Sequence, residues 1–453
     1  MALFRDLARR QFANADDIKV HKIYGVSWNK TSNPVLTRTD ASVGFIANAG
    51  VDLGVVVNDF DNTPLFGDIH EVTDTLGNVF VRIPKFYIKK TDGVGYKTWQ
   101  VSKTMYDGFY RPWCFWDFTN SRELPYVDIG KYKGTLGAGN KLESKPDLYP
   151  LINTHIVNMR TYAQNNNAGG LLGYQQLDIH VYDILQTLFY VEFATLDSQS
   201  IMQGFSTGQY TATHLATVAE NDTNRIIVAN ARADLYRVGQ AISVGTSQGG
   251  NQIFYGRTIT AIDVYDASNK ALTFDGASVN IAVGNILYNT GWENGFSAGI
   301  AASSGSIVSN SDGKYPCMYR GIESPWGDVW QFVDGVNIND LQAWVCANAA
   351  SYASNVFAAP YEQLGYVDHN GNNYAQTMGY DASNPFAEFP TAVSAIGDSA
   401  YKDYYYQGAG QRIALVGGRW DSGAYAGVSC WYLAYASADA FVSVGGRLIR
   451  KAA

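Results

Sequence analysis

VGGRWDSGAYAGVSCWYLAYASADAFVSVGGRL, residues 416–448, sets large side chains among very small ones. Tyr425, Tyr432, Tyr435 and Phe441 are separated by Gly, Ala and Ser, and Asp421 and Asp439 are the only charges between 421 and 444. Such a segment makes a poor core and a good contact surface. Tyr offers large, rigid, amphipathic area at low conformational cost, and small neighbours such as Ala424, Ala426, Ala436 and Ala438 let the rings stand out. The competing reading is an ordinary Gly/Ala/Tyr β-rich terminus with half-buried rings, because exposed and buried Tyr look alike in a sequence.

Around this stretch the composition is unusual in the same direction. The chain has 453 residues, which at roughly 100–200 residues per domain predicts two to four domains. It holds 31 Tyr against 21 Phe and 10 Trp, and 11 of the Tyr lie between 361 and 453, where proportional sharing gives about six. Charged residues are 16% and aromatics 14%, which excludes the charge-rich, aromatic-poor disordered class. No run approaches 18 uncharged apolar residues, so membrane insertion is not expected. The net charge of −8 comes with no Lys/Arg cluster beyond Arg9-Arg10 and Lys89-Lys90, which argues against nucleic acid as a partner. Cys114, Cys317, Cys346 and Cys430 are isolated and read as buried and reduced. The N-terminus, MALFRDLARRQF, lacks the apolar stretch of a signal peptide, so synthesis and folding in a cytoplasm are expected.

The chain divides by pattern. Residues 1–75 are polar and turn-rich with short alternating runs at 22–28 and 54–57, and read as a β-rich attachment or oligomerisation region. NVFVRIPKFYIK, residues 78–89, is strand-like, with Pro84 expected at an edge or bulge. Helices are expected only between 150 and 203: a short one at 155–162, and one at 177–193 where Leu177, Val181, Ile184, Leu185, Leu188 and Val191 follow helical spacing. Asp178 suits the positive end of that second helix. From 206 to 290 Trp vanishes and strands are expected at 225–229, 241–244, 252–264, 271–274 and 285–288. That segment reads as an inserted all-β barrel or sandwich domain, since insertions enter at surface loops whose ends lie close together. The fold class expected is α+β with few helices: residues 76–205 and 291–453 form the main domain.

Catalytic patterns are missing. His21, His70, His155, His180, His214 and His369 are scattered without HxxxH or HExxH spacing, and no GxSxG elbow occurs. DHNGN at 368–372 is oxygen-rich but lacks a calcium loop's downstream Glu, and Asn-Gly is a turn signal. GTLGAGN at 134–140 neither follows a clear strand nor opens a clear helix, so it is not read as a phosphate loop. No catalytic residue, metal or cofactor is expected, and the chain is read as a non-enzyme. Trp326 and Trp330 read as core, with indole N–H groups bonded to backbone after a turn. Arg447 reads as structural, pairing a buried carboxylate. Tyr404-Tyr405-Tyr406 is either a second sticky patch or one strand with alternating burial.

GIESPWGDVWQFVDGVN (321–337) resembles the glycine-tryptophan signature of the C-type-lectin-like domain of formylglycine-generating enzymes. Residues 416–448, closing on Gly-Gly-Arg, resemble the terminal segment of that fold and, more narrowly, the variable region of retroelement-diversified proteins, among them phage receptor-binding tips. NDFDN (58–62) and RIPKFYIKK (82–90) look like segments of phage tail proteins. The C-type-lectin resemblance covers roughly 80–205 and 291–450. It implies a phage receptor-binding protein at a tail-fibre tip, located in the virion, adhering to a host cell-surface receptor, protein or glycan. Other virion tail proteins and a homotrimeric state are implied as well. The oxidase activity of the enzyme family is not implied, because Cys430 stands alone, 84 residues after Cys346. Retroelement diversification turns Asn codons into NNC codons, which cannot encode Lys, Glu, Gln, Met or Trp. Between 421 and 444 there is no Lys, Glu, Gln or Met, and Trp431 is then a fixed scaffold position. The resemblance thus makes Asp421, Ser422, Tyr425, Tyr432, Ala434, Tyr435, Asp439, Phe441 and Ser443 the variable, ligand-binding positions. Two competing functions remain: a tail-associated polysaccharide depolymerase, and a purely structural virion protein.

Overall fold

Helical spacing produces helices at both expected places in a computed structural model that describes residues 21–50, 56–170, 172–297, 305–306, 312–365 and 373–452. Helix Ile156–Gln164 (α1) is capped by His155, whose Nδ1 accepts from Asn158 N at 3.3 Å. Helix Ile179–Phe193 (α2) is capped by Asp178, whose Oδ1 accepts from Val181 N at 2.9 Å. Such a cap contributes about 1 kcal/mol. A wide buried face was expected for α2, and in fact all fifteen residues are buried. Its polar side chains tolerate this because distant segments supply partners: Asp183 meets Lys90, and Glu192 meets Arg320.

Strand accounts for 43% of the chain and helix for 12%, so the protein is α+β with β dominant. A nine-stranded sheet curls into a half-barrel, in the order Glu362–Gln363, Gln342–Val345, Trp330–Asn339, Gln411–Gly417, Gly427–Leu433, Tyr404–Gln407, Asn373–Asp381, Asn384–Ser394, with Val444–Gly445 parallel beside Trp330–Asn339. α2 packs against this sheet on one side and against strands Ile23–Trp28 and Tyr96–Ser102 on the other. A five-stranded sheet places the C-terminal strand Leu448–Lys451 between Tyr174–Gln176 and Tyr126–Gly130.

Residues 23–73 do not stand apart at the expected boundary of 75. Ile23–Trp28 pairs with Tyr96–Ser102, and His70–Thr73 pairs with Val79–Pro84. The short runs had looked independent because their partners lie beyond that boundary. Residues 1–20, half of the 54–57 run and the DHNGN turn lie outside the described residues. Pro84 closes its strand, where the neighbouring strand has already ended at His70 opposite Arg82, so its missing N–H breaks no ladder bond on that side.

Between 206 and 290 the expected strands appear as Arg225–Ala229, Ala241–Ser247, Gly250–Val264, Asn269–Phe274 and Ile286–Asn289, joined in one sheet; the antiparallel pair Glu220–Thr223 with Val279–Ile281 and a single helical turn at Asn230–Ala233 (α3) are elements that the sequence reading lacked. They enclose a hydrophobic cluster of their own, including Ile226, Val244, Phe254, Leu272 and Leu287. The two ends of this segment meet: Asn289 N donates to Gln209 O at 2.6 Å, and Gln209 N donates to Asn289 Oδ1 at 2.7 Å.

The turn before the central strand follows the expected pattern. Trp326 is fully buried and its Nε1 donates to Met202 O at 3.2 Å. Gly327 has φ +71°, and a Cβ there would stand 2.5 Å from Phe205 O, so the position requires glycine. Arg447 departs from expectation. It is buried, but it donates to Gln331 Oε1 and to the backbone carbonyls of Gly130, Lys131, Glu323 and Ser324, not to a carboxylate. Carbonyls of three converging segments satisfy the guanidinium, and no acid is required.

Candidate functional site: an aromatic face on the curled sheet

Pairing register assigns the tyrosines of the C-terminal quarter to opposite faces of the sheet. Strand Tyr404–Gln407 runs parallel to Gly427–Leu433, with Tyr405 opposite Trp431 and Tyr406 opposite Tyr432. Trp431 pairs onward with Val416, and Tyr432 with Leu415. Because successive side chains alternate across a strand, Tyr405 and Trp431 point inward and are buried, while Tyr404, Tyr406 and Tyr432 point outward and are half-buried. The Tyr404–Tyr406 run is therefore both things the sequence allowed: one strand with alternating burial, and an outer pair that joins a patch.

That patch is a ribbon of rings. Tyr404 and Tyr425 lie 4.4 Å apart between centroids, and Tyr374 sits 5.8 Å from Tyr404 and 5.9 Å from Tyr425. Tyr406 stacks on Tyr432 at 5.1 Å, Tyr432 meets Tyr435 at 4.9 Å, and Tyr435 meets Phe441 at 4.4 Å. Trp330 underlies the second group, 5.3 Å from Tyr432. Tyr425 is 47% exposed and Phe441 39%. Ring pairs at these separations add about 0.5–1.5 kcal/mol each beyond area burial, which fixes the rings before any ligand arrives.

Short polar side chains hold the connecting loops. Asp421 pairs with Arg419, Nε to Oδ1 at 2.6 Å, and Ser422 Oγ accepts from Arg419 N at 2.9 Å. Gly423 N donates to Ser206 O, and Gln199 Nε2 donates to Gly423 O and Ala426 O, anchoring the turn that carries Tyr425. Asp439 Oδ2 accepts from Ala436 N at 2.8 Å and closes the loop between Tyr435 and Phe441. Ala434 is half-buried beside Gly408.

Of the nine expected positions, Ser443 does not reach the surface. It is 1% exposed, its Oγ accepts from Arg419 Nη1 at 3.0 Å and its carbonyl accepts from Trp330 N. The parallel pairing of Val444–Gly445 beside Trp330 draws this residue into the sheet. Tyr432 and Tyr435 are partly core, packed against the cluster that holds Phe332, Ile413, Leu415 and Cys430. Sequence reasoning left Tyr374, Tyr404, Tyr406 and Trp330 out of the site. The two-residue spacing of Tyr404 and Tyr406 carried the signal, but their neighbour across the sheet did not show in it.

Beneath the ribbon lies Asp403. It is buried and makes no ion pair among the described residues, Oδ2 accepting from Ser198 Oγ at 2.7 Å and Ser429 N at 2.8 Å. Burial pushes its carboxyl up to about 7 against those bonds. All four cysteines are buried and unpaired, as read from their isolation, and burial raises their thiols, Cys317 to about 12. Among the described residues no group of three or more His, Cys, Asp or Glu is placed to hold a metal ion, and no helix is long and apolar enough to cross a membrane. Rings with hydroxyl rims, a neutralised Asp421 and backbone-anchored loops are equipped for non-covalent contact. The chain matches no family model and no curated protein sequence.

Proposed function

We propose that this chain is a phage receptor-binding protein of a tail-fibre tip, whose C-type-lectin-like domain adheres non-covalently to a host-surface receptor through the aromatic face. The single observation that carries the reading is the ribbon Tyr374, Tyr404, Tyr425 and Tyr406, Tyr432, Tyr435, Phe441, held on a sheet and open to solvent at Tyr425 and Phe441. Rigid aromatic anchors with small neighbours are how paratopes obtain affinity at low entropic cost. Seven of the nine variable positions named by the resemblance — Asp421, Ser422, Tyr425, Tyr432, Tyr435, Asp439 and Phe441 — belong to the ribbon or to the loops that position it. In a trimeric tip, several weak sites would act together and raise avidity well above single-site affinity.

Two experiments test the reading. Fluorescently labelled protein is titrated onto a panel of bacterial strains. Binding to particular strains that unlabelled protein displaces supports it, and uniform absence of binding contradicts it. The diversification component is tested in the source genome. A near-copy of the coding segment for 416–448, differing where the copy carries adenines and lying beside a reverse-transcriptase gene, is expected; without it that component falls while adhesion stands.

A further inference from the structure

We propose that a groove remote from the aromatic ribbon is a second binding site, one that takes a neutral oligosaccharide. The groove has a volume of about 540 Å³ and runs between segment 116–124, the last turn of α1 and the loop at 348–350. That volume suits a ligand of a few sugar rings. It shares no residue with the ribbon and does not rest on the adhesion reading.

Its lining combines the two chemistries a sugar requires. A pyranose has an apolar C–H face and a rim of hydroxyls that donate and accept. Trp116 and Phe118 provide half-buried aromatic surface, and they are braced from behind. Arg111 stacks 4.0 Å from the Trp116 ring, and Trp113 lies 6.5 Å from Trp116 and 5.2 Å from Phe118. Amides provide the polar rim. Gln175 is held by Nε2 donating to Asp178 Oδ2 at 2.6 Å, which leaves its carbonyl oxygen free. Asn348 is held by its oxygen accepting from Ala350 N at 3.0 Å, which leaves its NH2 free. Gln164, at the end of α1, has neither end of its amide bonded among the described residues. One free acceptor, one free donor and one free amide thus face a groove whose shape is already fixed, so little ordering cost remains on binding.

The charges of the groove exclude an anion as the better fit. Arg122 is bonded to Asp117 at 3.2 Å, and Lys451 lies 3.7 Å from Asp178. Each cation is matched by a carboxylate, and no uncompensated positive charge is left for a sulfate, phosphate or uronate. A neutral, hydroxyl-rich ligand meets the site without desolvating an unpaired charge.

The test uses the full chain with maltohexaose, cellohexaose, chitohexaose and, as the charged control, a heparin hexasaccharide, read by saturation-transfer NMR and titration calorimetry. At least one neutral hexasaccharide is expected to bind. Trp116→Ala should weaken it at least about tenfold through loss of the ring face. Gln164→Ala, an exposed change with no folding consequence expected, should weaken it about threefold to tenfold. Tyr425→Ala should leave it unchanged. Absence of binding to all three neutral sugars, binding that both groove variants retain, or binding to heparin alone would overturn the proposal. Since Tyr425 and Trp116 lie in separate sites, loss of one binding activity and not the other tells which reading has failed.

Discussion

Two neighbouring rows of the nine-stranded sheet carry nearly the same residue types and do opposite work. One runs Gln331, Val416, Trp431, Tyr405; the next runs Phe332, Leu415, Tyr432, Tyr406. The first faces α2, where Trp431 packs 5.3 Å from Tyr182 and 5.1 Å from Phe389, and Tyr182 OH donates to Val428 O. The second faces outward, and α1 covers only part of it through Ile156, Met159 and Ala163. Tyr406 and Tyr432 lie where that cover gives way to the ribbon. A tyrosine here is core or contact surface according to which face its strand position selects. The tyrosines are therefore divided between a buried inner face and an outer face by one residue of register.

The comparison can be broken most strongly on the inner row. Trp431→Ala empties a fully buried site and is expected to cost about 3–5 kcal/mol, read as a lowered urea midpoint. A loss as small as that of a surface change would show that the inner face is not core.

A second, smaller effect is pH-dependent and also lies on the inner side. Asp403 precedes Tyr404 and shares Tyr405's orientation. Its folded pKa of about 7 lies above the ordinary 3.8, so the neutral form is favoured in the folded state. Its contribution is fully present below the unfolded pKa and lost as pH rises through about 7. The parent's melting temperature, measured against that of Asp403→Asn, should therefore fall between pH 4 and 7. Glu388 has the opposite sign. Burial alone would raise it, but Lys97 and Lys90 outweigh burial and hold it at about 2, so its contribution is lost as pH drops below the ordinary 4.5. A parent-minus-variant difference in melting temperature that stays constant from pH 4 to 7 would contradict the Asp403 account.

The outer row gives graded, weaker effects. Tyr432→Ala loses contacts with Trp330, Tyr406 and Tyr435 and should cost about 1–2 kcal/mol in denaturant unfolding. Removing Tyr425, Tyr432 and Tyr435 together is consequently not neutral for stability, although the sequence alone had suggested a surface without core function. Tyr425→Ala, which loses the pairs with Tyr404 and Tyr374, should cost about 1 kcal/mol, and Phe441→Ala, which loses the pair with Tyr435, about 0.5–1 kcal/mol.

Local signals were legible and long-range ones were not. Five strands of 206–290 stand out because period-2 runs are punctuated by turns, and α2 because its apolar spacing begins at a capping Asp, whereas the short polar pair Glu220–Thr223 with Val279–Ile281 carries no such pattern. The complete burial of α2 was hidden, since Asp183 and Glu192 look like solvent-facing residues until Lys90 and Arg320 arrive from 93 and 128 positions away. The same limit explains the site. Tyr425, Tyr432, Tyr435 and Phe441 were visible as rings on a small-residue frame, whereas Tyr374 and Trp330 join through sheet pairing. Ser443 looked like its exposed neighbours, and only the parallel strand after it draws it inside.

The most direct test of the outer face as a recognition surface is a paired measurement on the double variant Tyr425→Ser, Phe441→Ser: its affinity for a strain that the parent binds, and its melting temperature. The account predicts at least about a tenfold loss of cell binding, as truncation of aromatic anchors produces, with melting lowered only by what the lost ring pairs supply and unfolding still cooperative. Undiminished binding by a folded double variant would contradict it.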